Sequence, residues 1–157
     1  MSETALRTTL KAAIQSLTNE GIVHDYERWT SGDWTAFLAL FKTTIEDVDY
    51  IRGWTITMEA MPQVRHEMGA GGGIKLRAYN HRIRMYWGLD DSAASEKSAV
   101  ALAIAAVEAL DASSTLHGGG TYYDADPASL ETFEPRLFGG TLCHYTEILQ
   151  VTYEVVN

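Results

Sequence analysis

The C-terminal segment, residues 142–157, constrains the fold more than any other part of this chain. Its residues alternate in type in the way that one long β-strand requires. The mainly apolar side consists of Cys143, Tyr145, Leu149, Val151, Tyr153 and Val155. The other side consists of Thr146, Ile148, Gln150, Thr152 and Glu154, of which only Ile148 is apolar. We expect the first side to face the core.

The length of this strand leads to a second expectation. At a rise of about 3.3 Å per residue it spans roughly 50 Å, whereas strands usually have about 3–10 residues. A domain of 157 residues is too small to pair all of it internally. Either the strand bends onto a second sheet, or part of it is reserved for another subunit. The pattern therefore favours a component of an assembly over a self-contained enzyme.

The composition is that of one domain covering residues 1–157. An apolar fraction of 46% with 10% aromatic residues excludes a wholly disordered chain. No run of 18 or more apolar residues occurs, and the N-terminal residues lack the apolar segment of a signal peptide, so we expect neither a membrane span nor a leader. Cys143 is the only cysteine. It is interpreted as a small core residue in a protein of a reducing compartment.

Charge is distributed unevenly along the chain. Residues 1–88 hold 10 acids and 10 bases, whereas residues 89–157 hold 11 acids and two bases, which places the net charge of −9 in the second part. The bases of the middle region are Arg65, Lys75, Arg77, Arg82 and Arg84. Either the acids form a solubilising surface, or acidic and basic patches meet between neighbouring subunits of a ring. An acidic chain is poorly suited to grip DNA, but it can surround DNA without holding it.

Residue spacing predicts the elements of the first half. Apolar residues at helical spacing predict an amphipathic helix over 4–18, ended by Gly21, and a strand is expected over 22–29. Ser31 is expected to cap a short helix over 31–42, with Asp33 in its first turn. A strand rich in β-branched and aromatic residues covers 50–59. Gly53 is its expected bulge.

The second half alternates glycine-rich segments with regular elements. We expect mobile loops over 63–77 and 113–140, and a strand over 78–89 with Ile83, Met85 and Trp87 pointing inward. Asp91 or Ser92 is expected to cap a helix that continues to residue 112. The predicted apolar face of that helix consists of Val100, Ala103, Ile104, Val107 and Leu110. This order predicts an α+β fold, with a mixed, mainly antiparallel sheet and helices packed on one face.

Motifs that would carry chemistry are incomplete. Residues 69–75 resemble a phosphate-binding loop, but no glycine precedes Lys75 and no Ser or Thr follows it. His66 and Glu67 begin a zinc-protease motif, but Ala70 stands where the second ligand would be. No serine lies in a nucleophile elbow. We therefore expect no enzyme activity, no cofactor and no metal site.

The order of elements resembles a family of phage proteins. One half of the resemblance is the N-terminal helix, the strand at 23–29, and the strand that leads into a long helix over 82–112. The other half is the terminal strand, which closes as Ile148-Leu-Gln-Val-Thr-Tyr153-Glu154-Val. Together they resemble the tail terminator proteins of long-tailed bacteriophages, including the lambda-type minor tail protein.

The resemblance implies a structural role in the virion. Such proteins form a homo-oligomeric ring, typically of six subunits, at the head-proximal end of the tail tube. The ring stops tube polymerisation and joins the tube protein to the head connector or stopper protein, and DNA passes through its lumen. Assembly would take place in the host cytoplasm, without a membrane.

Two sets of residues are candidates for these contacts. The candidate interface consists of Trp29, Trp34, Arg65, Lys75, Arg77, Arg82 and Arg84. The candidate lumen or acidic surface consists of Asp124, Asp126, Glu131 and Glu134. Acids that line a channel would repel phosphates and let DNA slide through.

Two alternatives remain open. The chain can be another ring of the phage neck, such as a head-completion or stopper protein. It can also be a small α+β ligand-binding or enzymatic domain that uses the aromatic residues with Asp124 and Asp126.

Overall fold

The computed structural model describes residues 2–28, 32–65, 73–90, 93–117 and 124–156. Within these ranges the helices are α1 (Glu3–Gln15), α2 (Trp34–Ala39) and α3 (Ser95–Asp111). The strands are β1 (Ile22–His24), β2 (Lys42–Ile45), β3 (Val48–Ala60), β4 (Gln63–Arg65), β5 (Lys75–Gly88), β6 (Asp124–Ala125), β7 (Ser129–Phe138) and β8 (Thr141–Val156). None of the described helices is long and apolar enough to cross a membrane.

All eight of these strands belong to one sheet. Its main order is β1-β3-β5-β8-β6, while β2 pairs with β3, β4 with β5, and β7 with β8. Only the β1–β3 pair is parallel. The predicted α+β class with a mixed, mainly antiparallel sheet is confirmed.

Strand β8 is paired within the subunit, which overturns the expectation drawn from its length. On one side it pairs with β5 from Cys143 to Val156, and on the other with β7 and β6. Two features make this possible. Strand β5 has 14 residues, and residues 129–138 form a strand where a loop was predicted. Every residue of β8 from 141 to 156 is therefore paired on at least one side within the subunit.

The prediction of which side of β8 faces the main core is also wrong. Ile83 pairs with Ile148 and Met85 with Thr146, and residues paired across two strands share a face. Because the apolar residues of β5 fix which face meets α1 and α3, they bring the polar side of β8 inward. Thr146, Ile148, Gln150 and Thr152 are accordingly buried. Of the predicted inward set, only Cys143 and Tyr145 are buried, and they lie on the opposite face.

The main core lies between the sheet and helices α1 and α3. Its largest fully buried members are Leu6, Leu10, Ile14, Trp54, Ile56, Ile83, Met85, Leu110, Leu116 and Ile148. Helix α3 is rotated from its predicted face, because it buries Ala99, Leu102, Ala103, Ala106 and Leu110 against the sheet. Ile104, expected inside, is 48% exposed. Small alanine side chains allow the helix backbone to approach the strands closely.

Helix α2 lies on the other face of the sheet, so the helices are not all on one side. Asp33 is its N-cap, with Oδ1 accepting from the backbone N–H groups of Thr35 and Ala36 at 2.9 and 3.3 Å. The predicted cap, Ser31, lies outside the described residues. A second cluster forms beneath α2 from Leu38, Phe41, Tyr86, Phe138, Cys143 and Tyr145.

Two glycines have roles other than those predicted. Helix α1 ends at Gln15, and Gly21 instead lies where a Cβ would stand 2.2 Å from the carbonyl oxygen of Arg52. Gly53 is not a bulge, because the register is regular around it and shifts only between Met58 and Ala60. A Cβ at Gly53 would stand 2.4 Å from Cδ1 of Phe41. At both positions the lack of a Cβ lets neighbouring atoms lie close to the backbone.

Element ends differ in three further places. Strand β1 stops at His24 rather than at residue 29, and Ala94, in the left-handed conformation, caps α3. Asp91 and Ser92, the predicted caps, are outside the described residues. The predicted loop over 63–77 begins and ends in strand, because β4 pairs with the first residues of β5 as an antiparallel hairpin. Residues 66–72 between them are not described.

Candidate functional site

The face of the sheet opposite α1 and α3, here called the outer face, is covered by the described elements only at one end. Alternate residues of β5, from Ala78 to Tyr86, lie on this face. Helix α2 covers the end near Tyr86, and a band of charged residues follows in the middle of the sheet. This face therefore presents both aromatic and charged side chains.

An aromatic groove lies beside α2 on the outer face. Trp34 and Phe37 come from α2, Tyr86 from β5, Phe138 from β7 and Tyr145 from β8. The ring centres of Trp34 and Phe138 are 5.4 Å apart, and those of Phe37 and Tyr86 are 5.3 Å apart. The groove has a volume of about 350 Å³. Trp34 is 47% exposed at its edge.

Two arginines border the aromatic groove. Arg84 Nη1 donates to Thr57 Oγ1 at 2.9 Å, and its Nε lies 3.6 Å from Glu147. The guanidinium of Arg136 lies 4.1 Å from the ring centre of Tyr145, a cation–π distance. These contacts hold both guanidinium groups against the aromatic floor, and Glu147 and Glu134 pair with them, so the groove combines apolar surface with ion-paired arginines.

The tyrosines of the groove remain protonated at neutral pH. Burial raises the pKa of Tyr86. Burial also raises the pKa of Tyr145, and the hydrogen bond that its hydroxyl donates to Glu147 adds to this effect. Each phenol is therefore suited to binding by its ring and hydroxyl rather than to acid–base chemistry near pH 7.

The charged band is centred on Arg82, whose side chain is 13% exposed. Its guanidinium contacts Glu59 at 2.8 Å, Glu147 at 3.8 Å, and Glu131. The network joins β3, β5, β7 and β8 across the outer face. Arg82 is therefore neutralised within the subunit.

The predicted interface residues separate into two groups. Trp34 and Arg84 meet in the aromatic groove, near Arg82 in the charged band. Arg65 and Lys75 face each other at the opposite end of the sheet, with Arg77 beside them. Arg77 lies 3.7 Å from Glu154. The remaining member, Trp29, is outside the described residues.

The predicted acidic surface is divided in the same way. Glu131 pairs with Arg82, and Glu134 pairs with Arg136, both on the outer face. Asp126 accepts a hydrogen bond of 2.8 Å from the hydroxyl of Tyr153. Asp124 begins β6 and is exposed, 3.8 Å from His117 Nδ1. Glu131 and Glu134 are therefore neutralised by arginine, whereas no arginine or lysine within the described ranges pairs with Asp124 or Asp126.

The fold also brings together a serine and a histidine that the sequence did not connect. Ser95 Oγ lies 3.0 Å from His144 Nε2 and accepts from the backbone N–H of Asp90 at 2.8 Å. Both side chains are buried, whereas a nucleophile must be reached by its substrate. We interpret the pair as an anchor of α3 on β8. No local motif could have revealed it, since 49 residues separate the two.

Cys143 is buried in the cluster beneath α2, and burial raises the pKa of its thiol to about 11. It is therefore a thiol rather than a thiolate at neutral pH. Among the described residues, no three His, Cys, Asp or Glu side chains are grouped so that they could hold a metal ion.

No protein-family model matches this chain, and no curated protein matches it. The functional assignment therefore depends on the surfaces described above and on the order of elements.

Proposed function

We propose that this chain is a structural virion protein that forms a ring at the head-proximal end of a phage tail tube. The ring ends the tube, joins it to the head connector, and lets DNA pass through its lumen. The described order of elements supports the proposal, because α1, β1, β5 leading into α3, and the terminal strand β8 occur in the order on which the resemblance to tail terminators is based.

One observation carries the proposal: an aromatic groove on the outer face remains open among the described residues, with Trp34 47% exposed at its edge above buried rings of Tyr86, Phe138 and Tyr145. Exposed aromatic surface with a polar rim is typical of protein–protein interfaces, and Trp, Tyr and Arg are the residues that most often dominate binding there. The groove contains Trp34, Tyr86, Tyr145, Arg84 and Arg136. It is suited to receive a segment of the tube protein or the connector.

The pairing of β8 changes how subunits would associate. Because β8 is paired internally, a neighbour does not complete it. The outermost strand on that side, β7, contains Pro135, which lacks an N–H donor and interrupts any added ladder. Along β7, subunits would therefore associate through side-chain surfaces rather than through an added strand. The net charge of −9 fits a channel that does not retain DNA.

The groove also favours a second candidate, a small-molecule binding domain. Its volume of about 350 Å³ is within the range of ligand pockets, roughly 300–1,000 Å³. In that case the isolated protein would stay monomeric and bind a metabolite. Another neck ring, such as a stopper protein, would share the ring but bind the connector and not the tube.

The experiment is polymerisation of the phage's tail tube protein with and without this chain, followed by electron microscopy. We expect tubes of limited length with one ring at one end. A Trp34→Ala variant should fold but cap fewer tubes. Tubes that grow equally long and uncapped with the wild-type protein would contradict the proposal, and binding to connector complexes alone would favour the stopper alternative.

A further inference from the structure

We propose that copies of this chain associate head to tail through two opposite corners of the same end of the sheet. The basic corner, Arg65 and Lys75 with Val64, would contact the acidic corner, Glu108, Asp111 and Asp124, of the next copy. This inference rests on the proposed function, and it identifies the surface by which the ring closes.

The basic corner is at the β4–β5 hairpin. Arg65 pairs with Lys75 across the two strands, and both side chains are exposed. Neither has an ion pair with any residue in the described ranges. The other three predicted basic residues differ, because Arg77, Arg82 and Arg84 each have a carboxylate within 4.0 Å. Of these five bases, Arg65 and Lys75 are therefore the two that no described carboxylate neutralises.

The acidic corner is formed by β6 and the end of α3. Asp111, the last residue of α3, accepts a hydrogen bond of 2.7 Å from the backbone N–H of Ala128, which places it beside β6 and the start of β7. Glu108 is one helical turn earlier and exposed. Asp124 is exposed at the start of β6 on the outer face, because the next residue, Ala125, is buried in the core on the α3 side, so the acidic corner wraps around this edge of the sheet. No arginine or lysine pairs with these three acids within the described ranges.

Sheet topology places the two corners at opposite edges of the same end. Val64 pairs with Leu76, which pairs with Val155. Asp124 pairs with Tyr153 two residues away on the same strand. The strands β4, β5, β8 and β6 thus lie side by side, and the outer two are separated by three strand spacings, about 14 Å. Surfaces of opposite charge at opposite edges form a heterologous contact, which closes into a ring when the rotation permits.

The basic corner also exposes apolar surface. Val64 is 65% exposed and Val155 is 40% exposed, and both lie in one row across β4, β5 and β8, on the face opposite Arg65 and Lys75 because successive side chains of a strand alternate in direction. A neighbour that covers this row would remove it from water. Charge complementarity then sets the orientation of the contact and excludes a basic corner from meeting another.

Charge exchange between two variants tests this contact. The first variant is Arg65→Glu with Lys75→Glu, and the second is Glu108→Lys with Asp124→Lys; Asp111 is left unchanged because of its bond to Ala128. Matched reversals outside both corners are Lys97→Glu and Glu46→Lys, at exposed positions. Sedimentation of each protein, alone and with tail tubes, measures assembly, and circular dichroism reports folding.

We expect the wild type and both controls to assemble, each corner variant to remain monomeric, and an equimolar mixture of the two corner variants to regain assembly. The apparent dissociation constant of each corner variant should rise at least about tenfold. Wild-type assembly should weaken as salt rises, because screening shortens the reach of exposed charges.

The contrary outcomes separate the two proposals. If the wild type forms rings and both corner variants do so equally well, or if the mixture does not recover, the corner contact is wrong and the ring remains. If the wild type stays monomeric both alone and with tail tubes, the ring itself is wrong.

Discussion

The two faces of the sheet have different roles. The inner face packs against α1 and α3, with Trp54, Ile83, Met85 and Ile148 fully buried. The outer face is covered only beside α2 and otherwise carries charged side chains. Apolar burial on the inner face is therefore the main source of stability, while the outer face is available for recognition.

Polar groups on the two faces are satisfied to different degrees. On the inner face, Thr146 Oγ1, Gln150 Oε1 and Thr152 Oγ1 are buried and have no hydrogen-bond partner among the described residues. On the outer face, Arg82 and Arg84 have partners at short distance, although Asn80 Oδ1 is buried without a partner among the described residues. The inner face thus contains polar atoms that cost stability, because they follow the register that β5 imposes on β8.

The largest expected difference between the two faces is the loss of stability when a tryptophan on each is replaced by alanine. Trp54 is fully buried in the inner core, and its Nε1–H donates to the carbonyl oxygen of Glu20 at 2.9 Å. Trp54→Ala should lower the free energy of unfolding by about 3–5 kcal/mol, since it leaves a large cavity. Trp34→Ala, at the exposed edge of the groove, should cost about 1 kcal/mol or less. Urea denaturation measures both, and equal losses would contradict the division between the faces.

The next largest expected difference in stability is between alanine substitutions at two glycines of the outer face. Gly53→Ala should destabilise by about 1–3 kcal/mol, because its Cβ would overlap the ring of Phe41. At Gly88 the nearest atom to an added Cβ is 3.5 Å away, so Gly88→Ala should change stability by less than about 1 kcal/mol. Thermal unfolding of the two variants compares them directly. A tolerated Gly53→Ala would show that α2 can shift on the sheet.

Threonine hydroxyls on opposite faces should respond with opposite sign. Thr146→Val removes a buried hydroxyl with no described partner and should stabilise by up to about 1 kcal/mol. Thr57→Val removes the acceptor that Arg84 uses at 2.9 Å and should destabilise by about 0.5–1.5 kcal/mol. Chemical denaturation distinguishes them. A loss of stability in Thr146→Val would mean that a buried water or unmapped partner satisfies its hydroxyl.

Protonation of His81, on the inner face, should lower the stability of the protein in mild acid. His81 Nε2 lies 3.0 Å from Glu3, but burial dominates and lowers the pKa of His81 from its usual 6.5. The unfolded chain therefore binds a proton more readily than the folded chain, so stability is lost as pH falls below about 6.5 toward the folded pKa. Denaturation from pH 8 to pH 5.5 should show this slope in the wild type and less of it in His81→Gln. Identical slopes would assign the effect to another group.

The pKa of Glu3 changes stability at lower pH. Burial acts to raise this pKa, but hydrogen bonds from Arg7 and His81 outweigh it and lower the pKa from 4.5. Its contribution is therefore present above about pH 4.5 and is lost as pH falls through the folded pKa. The range from pH 8 to pH 5.5 isolates His81 from this second loss.

The elements with clear periodicity could be predicted from the sequence. The helix over 4–18 and the strands over 50–59 and 78–89 were placed correctly, because one side of each is apolar at the expected spacing. Strand β7 could not be predicted, since Pro135 and the flanking glycines are typical of loops, and an edge strand tolerates them. The prediction of which side of β8 faces the main core was wrong. Both sides of the strand are covered near residue 145, and the alternation of residue types does not show which side meets which helix.

The candidate site was predictable only in part. Trp34 and Arg84 were singled out from composition and clustering, and they meet in the aromatic groove. Arg136, Phe138 and Tyr145 complete it from segments more than 50 residues away in sequence from Arg84. Only the pairing of β5, β8 and β7 brings these residues together, and a single sequence does not reveal that register.

The oligomeric mass of the native protein tests the central claim most directly. Native mass spectrometry, alone and with tail tubes, measures whether copies of the 17.4 kDa chain associate into one closed species. We expect a discrete ring of about six chains. A chain that remains a single subunit under both conditions and binds a small molecule in the aromatic groove would contradict it.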